Sequence, residues 1–176
     1  PWKKKTPEQF FTFGTVKTLE HIYGIDLLIR SFALFTEKNP MMNVTLKIAG
    51  EGSLKKSLQD LTHELGISEK VTFFGHIPQK DGPHFLNGLD VFMVLSRRES
   101  FGVAAVEAAA CQLPVIASNT GGLKETVLNN KTGYLVNCLD LNEVVTSMEK
   151  LFHSPDLCEK LGQAGRKFVL EKYNWH

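Results

Sequence analysis

Short apolar runs alternate with longer amphipathic stretches along nearly the whole chain, and that alternation leaves few folds open. Residues 10–13, 44–49, 71–74, 91–95, 115–117 and 133–136 read as strands. Between them, residues 26–37 place Leu27, Leu28, Phe32, Leu34 and Phe35 at roughly helical period. Ser53 reads as the N-cap of a second helix, ahead of Leu54, Leu58 and Leu61. A small-residue helix over 101–111 and two closing helices over 140–152 and 155–172 complete the pattern, with Pro155 suited to a first turn. The strands are apolar without strict alternation, which implies a parallel sheet covered on both faces, with Phe10, Phe11, Phe13, Phe32, Phe35, Phe73, Phe74 and Phe92 expected to be mostly core. The expected fold is therefore α/β, a doubly wound, Rossmann-like parallel sheet forming one domain over residues 10–176, preceded by a tail or linker over 1–9. Ligands of such sheets bind beyond the carboxyl ends of the strands. Gly14, Gly50-Glu51-Gly52, Gly75-His76, Arg97-Arg98-Glu99 and Asn119-Thr120-Gly121-Gly122 all gather there.

Composition removes several function classes. A chain of 176 residues with 20 basic and 19 acidic groups has no concentrated basic excess, so no nucleic-acid partner is expected. The one local basic run, Lys3-Lys4-Lys5, reads as a solvated tail, with a weak membrane-surface or partner contact as the other reading. No uncharged apolar run approaches the ~18 residues that a membrane span needs, and no apolar segment follows the lysines to make a signal peptide. Cys111, Cys138 and Cys158 fit neither a disulfide framework nor a metal pattern, and Cys111 reads as a small buried residue. No metal site is expected. A reducing, cytoplasmic setting follows, and the inner face of a membrane is compatible with it. A first residue that is proline and a last phrase that stops midway suggest one domain of a longer protein.

The densest chemistry lies between Ser96 and Glu107. A strand ends near Leu95, a polar loop follows, and a helix is expected to begin near Ser100 or Phe101. The first amides of that helix lack internal partners and, with the helix dipole, suit a phosphate. Gly102 lets an anion approach the backbone. Glu99 stands just before the helix and Glu107 two turns into it. Carboxylates repel phosphate but accept hydrogen bonds from neutral hydroxyls, so they suit a sugar ring or a ribose. An anion site flanked by two hydroxyl readers fits a nucleotide diphosphate sugar. Blander readings exist for each: Glu107 as an exposed helix carboxylate, Glu99 as a dipole partner, Gly121-Gly122 as a turn, Lys17 as a surface lysine.

Glu99 and Glu107 stand in a phrase that resembles the S-x-x-E-x-F-G-x-x-x-x-E-A motif of family 4 glycosyltransferases, and the similarity runs on through residues 108–117, 121–125 and 132–136. Residues 49–52, 71–75 and Tyr173-Asn174-Trp175 are similar to further family landmarks. The resemblance implies the C-terminal, donor-binding half of a two-domain GT-B architecture and a retaining sugar transfer. It further implies that Glu99 meets the hydroxyls of the transferred sugar and Glu107 the ribose. The amides around Ser100, Phe101, Gly102 and Val103 would hold the distal phosphate, and Gly75, His76 and Ile77 would flank the base. Two departures stand out. The family's diphosphate-clamping Arg and Lys positions fall on Thr15, after Gly14, and on Tyr23, before Gly24, which leaves Lys17, Arg97 and Arg98 as candidate cations. Gln112 stands where the family commonly has Gly. The expectation is an enzyme without a prosthetic group, using a UDP-, GDP- or ADP-type donor, with the acceptor held by an N-terminal domain through which a peripheral membrane contact remains open. A nucleotide-binding module without catalysis and a GT-B-type nucleotide-sugar epimerase are the alternatives.

Overall fold

The structure, a computed structural model, describes residues 9–173. Lys3-Lys4-Lys5, Asn174 and Trp175 lie outside the described residues. In chain order the elements are β1 (Phe11–Val16), α1 (Ile25–Lys38), β2 (Val44–Ala49), α2 (Lys55–Glu64), β3 (Val71–Gly75), α3 (Gly82–Asn87) and β4 (Val91–Val94). They continue with α4 (Val103–Ala110), β5 (Val115–Ser118), α5 (Leu123–Thr126), β6 (Gly133–Val136), α6 (Leu141–Phe152) and α7 (Pro155–Lys172).

The six strands form one all-parallel sheet in the order β3-β2-β1-β4-β5-β6. The chain therefore builds outward from β1 through β2 to β3, returns, and builds outward the other way from β4. Where the direction reverses, between β1 and β4, the two following loops diverge and leave a gap at the strand ends. Asp90 fixes that junction: its carboxylate accepts the Thr12 N–H at 2.6 Å, and its own N–H donates to the Thr12 carbonyl.

Residues of α1, α2, α6 and the start of α7 pack one face of the sheet, and residues of α3, α4 and α5 pack the other. The first layer holds an edge-to-face aromatic cluster of Phe13, Phe35 and Phe152. The second is thin, because α4 is mostly alanine and lies close to β4 and β5. Asp140 caps α6 by accepting the amides of Asn142 and Glu143, and Pro155 occupies the first turn of α7 as expected. From the first layer α7 runs to lie against α4, with Gly162 and Gly165 allowing the close approach.

Four local expectations need correction. β1 begins one residue later than expected and extends to Val16, because the β-branched Thr15 and Val16 carry it past Gly14. Ser53 does not cap α2; its hydroxyl and N–H both donate to the Glu20 carboxylate at 2.6 Å, and α2 starts behind Leu54. Phe10 and Phe74 are exposed rather than core, since Phe10 precedes β1 and Phe74 points outward from the edge strand β3. Cys111 is half-buried rather than buried, while Cys138 and Cys158 are buried.

Candidate functional site

Beyond the carboxyl ends of β1 to β4 lies a crevice of about 590 Å³. Each wall is the first turn after one strand. Val16, Lys17 and Thr18 come from β1, Gly50 and Glu51 follow β2, and His76 and Ile77 follow β3. Glu99, Ser100, Phe101 and Gly102 follow β4, and Val103, Ala104 and Glu107 come from α4.

The α4 wall starts later than its sequence suggests. Gly102 is the residue before the helix and holds a left-handed backbone at φ 89°, where its carbonyl accepts from the Ala105 and Val106 amides. A side chain there would meet Leu123 Cδ2 at 2.7 Å, so both conformation and space call for glycine. With the helix starting at Val103, Glu107 is its fifth residue, about 6 Å along the axis rather than two turns in. The amides of Phe101, Gly102, Val103 and Ala104 find no acceptor among the described residues. Glu107 is exposed at the crevice wall, which its apolar sequence neighbours did not suggest.

Glu99 is held much more firmly. Its side chain is 10% exposed, and its carboxylate accepts from the Ser96 hydroxyl at 3.2 Å and the Lys17 ammonium at 2.5 Å. Its carbonyl accepts the Gly122 N–H at 3.0 Å, and a side chain at Gly121 would lie 1.9 Å from that same oxygen. The Gly121-Gly122 turn is thus the support on which the Glu99 loop rests. Lys17 in turn sits 4.5 Å from the centre of the Tyr23 ring.

Arg97 does not face the crevice. Its guanidinium donates to both Asp26 oxygens, at 2.8 and 2.7 Å, and to the His21 carbonyl at 2.7 Å. Burial raises the Asp26 pKa, but the hydrogen bonds and charge of Arg97 outweigh it and the net shift is downward. This staple ties the turn carrying Tyr23 to the loop carrying Glu99. Arg98 is exposed and lines an adjoining hollow of about 340 Å³ with Ile22, Tyr23, Glu99, Ser100, Thr120 and Gly121.

Of the expected site residues, the crevice brings together Lys17, His76, Ile77, Glu99, Ser100, Phe101, Gly102, Val103 and Glu107. Gly14 is not among them, because it lies within β1 with Leu89 and the Lys47 carbonyl packed over it. Gly75 supports the wall from behind, its carbonyl accepting the Gly50 N–H at 2.7 Å. Thr18, Glu51 and the ring of Tyr23 were not singled out as site residues; Glu51 had a usable signal in its Gly-Glu-Gly turn after a strand, and Thr18 had none. Among the described residues no group of three His, Cys, Asp or Glu side chains could hold a metal, and no helix is long and apolar enough to cross a membrane.

A doubly wound sheet with its crevice at the switch point defines a Rossmann-like domain of the type that forms the C-terminal half of GT-B enzymes. The chain belongs to the glycosyl transferases group 1 family, whose model matches residues 1–168. It is 33% identical over 159 residues to the GDP-mannose-dependent alpha-(1-6)-phosphatidylinositol monomannoside mannosyltransferase of Mycolicibacterium smegmatis, covering 86% of this chain and 41% of the relative. It is 32% identical to the capsular polysaccharide biosynthesis glycosyltransferase CapM of Staphylococcus aureus, covering 93% of this chain and 42% of that one. Among solved structures it superposes on the C-terminal domain of a group 1 family glycosyl transferase from Francisella tularensis with a TM-score of 0.83 and 25% identity, covering 93% of this chain and 86% of that one. A sucrose-phosphate synthase from Thermosynechococcus elongatus gives a TM-score of 0.87 at 28% identity, over 97% of this chain and 43% of that one. The chain thus spans about two fifths of the length of the curated relatives it matches.

Proposed function

We propose that this chain is the donor-binding domain of a retaining glycosyltransferase, binding a nucleotide diphosphate sugar of UDP, GDP or ADP type in the crevice beyond β1 to β4. The observation that carries the reading is the convergence of two carboxylates, Glu99 and Glu107, on either side of the α4 start, with Lys17 opposite. The free amides at that start suit a phosphate. The carboxylates suit hydroxyls: Glu107 those of the ribose, Glu99 those of the sugar. His76 and Ile77 flank the base.

In this reading the bond between the anomeric carbon and the diphosphate oxygen breaks as the oxygen of an acceptor hydroxyl bonds to that carbon, and the hydroxyl proton passes to the departing diphosphate. The electron pair leaves with the diphosphate, where the α4 amides and a cation stabilise it. Retention of the anomeric configuration is what the family resemblance implies. The acceptor belongs to a second, N-terminal domain, consistent with relatives more than twice as long. A module without catalysis and an epimerase are both less favoured, because the relatives are named as transferases.

Isothermal titration of the chain with UDP, GDP and ADP tests the site. One of them is expected to bind, and Glu107→Ala to weaken it by roughly tenfold, as loss of a charged hydrogen-bond partner does. No binding by any of the three, or equal binding by the variant, sinks the assignment.

A further inference from the structure

Among the described residues lining the crevice, Lys17 is the one lysine or arginine, and in the folded chain Glu99 holds it. Both partners have anchored backbones, so that the contact between their side chains is the part a ligand can exchange. The Lys17 N–H donates to the Ala49 carbonyl at 2.9 Å and its ammonium rests against the Tyr23 ring. Glu99 is fixed by Ser96 and by the Gly122 amide on its carbonyl. Their side chains are 14% and 10% exposed, so water screens the pair weakly.

We infer that the Lys17–Glu99 ion pair is an exchange latch by which the site distinguishes an intact nucleotide diphosphate sugar from a bare nucleoside diphosphate. The inference rests on the donor-binding reading above. A diphosphate settling at the α4 start draws the ammonium of Lys17 toward itself. That leaves the Glu99 carboxylate largely buried, short of its cation and close to new negative charge, which is costly. A sugar hydroxyl donating to Glu99 offsets the loss. The intact donor therefore makes both exchanges, cation to phosphate and hydroxyl to carboxylate. A nucleoside diphosphate makes only the first and binds at a disadvantage, which favours its departure after transfer.

Titration calorimetry with UDP, GDP and ADP, and with UDP-glucose, GDP-mannose and ADP-glucose, separates the possibilities on the wild-type chain and three variants. Glu99→Gln keeps the shape and the Ser96 hydrogen bond but releases Lys17. It is expected to bind the preferred nucleoside diphosphate roughly tenfold tighter, with no gain for the nucleotide sugar, so that the preference for the intact donor falls toward unity. Lys17→Met is expected to weaken both ligands and to abolish the tightening when combined with Glu99→Gln. Lys17→Arg retains the charge and is expected to preserve the preference, which a merely structural lysine would not require. If Glu99→Gln leaves nucleoside diphosphate affinity unchanged or lowers it while Glu107→Ala still weakens binding, the latch is wrong and the donor site stands. If the wild-type chain binds none of the six ligands, the donor site fails and the latch with it.

Discussion

Gln112 follows α4 with a left-handed backbone, φ 62°, in a conformation that costs a residue with a side chain about 1–2 kcal/mol. Its carbonyl faces Gly162 of α7, where a side chain would lie 2.0 Å away. The turn is therefore held by packing against α7 despite an unsuitable residue. Gln112→Gly is expected to leave stability equal or raise it by up to about 1 kcal/mol, measured by thermal unfolding, with nucleotide binding unchanged. Gly102 poses the opposite case, because its conformation is left-handed and its space is filled by Leu123. Gly102→Ala is expected to cost on the order of 1–3 kcal/mol in stability and to weaken nucleotide binding as well, since the α4 amides must shift. An alanine there that folds and binds normally would show the α4 start to be irrelevant to the ligand.

Among the elements, the join between α1 and the β4 loop carries a pH signature. Asp26 has its folded-state pKa lowered by Arg97 against the opposing effect of burial. A depressed carboxylate contributes stability that is present above its unfolded value, about 4, and is lost as pH falls through the lower folded value. Asp26→Asn is expected to cost about 1–2 kcal/mol at neutral pH and to flatten the acid limb of the stability curve, read from urea unfolding between pH 3 and pH 7. An unchanged acid limb would mean that the pair contributes nothing measurable. The same level of organisation shows what the chain disclosed beforehand. The six strands and the long helices were legible because apolar runs of three to six residues contrast with amphipathic stretches of ten or more. α3 and α5 were not, for at six and four residues they are too short to display a helical period. Ser53 misled because a capping preference says nothing of a carboxylate elsewhere that binds the same hydroxyl, here Glu20. At the site, Glu99 and Glu107 were legible from spacing. The partner of Glu99 was not, because Lys17 lies 82 positions away and only the sheet brings the two together.

For the whole molecule, the governing fact is that the chain spans about two fifths of its curated relatives. If the acceptor site belongs to the remainder, this chain alone binds donor nucleotide and transfers nothing, whereas a protein carrying the additional N-terminal domain transfers sugar with the same donor preference. A transfer assay on both, with a labelled nucleotide sugar, checks this; turnover by the short chain would mean that the acceptor site lies here. The sheet's point of reversal has a wider consequence. Four separate strand ends each contribute one short turn to the crevice, and these turns touch the packed layers beneath through few side chains, among them Ile77 after β3 and Leu19 after β1. The turn at 76–81 is mostly exposed. With Ile77 kept as its anchor on the second layer, the rest of this turn can therefore be exchanged like a cassette, reshaping one wall of the crevice while leaving the foundation that carries it undisturbed.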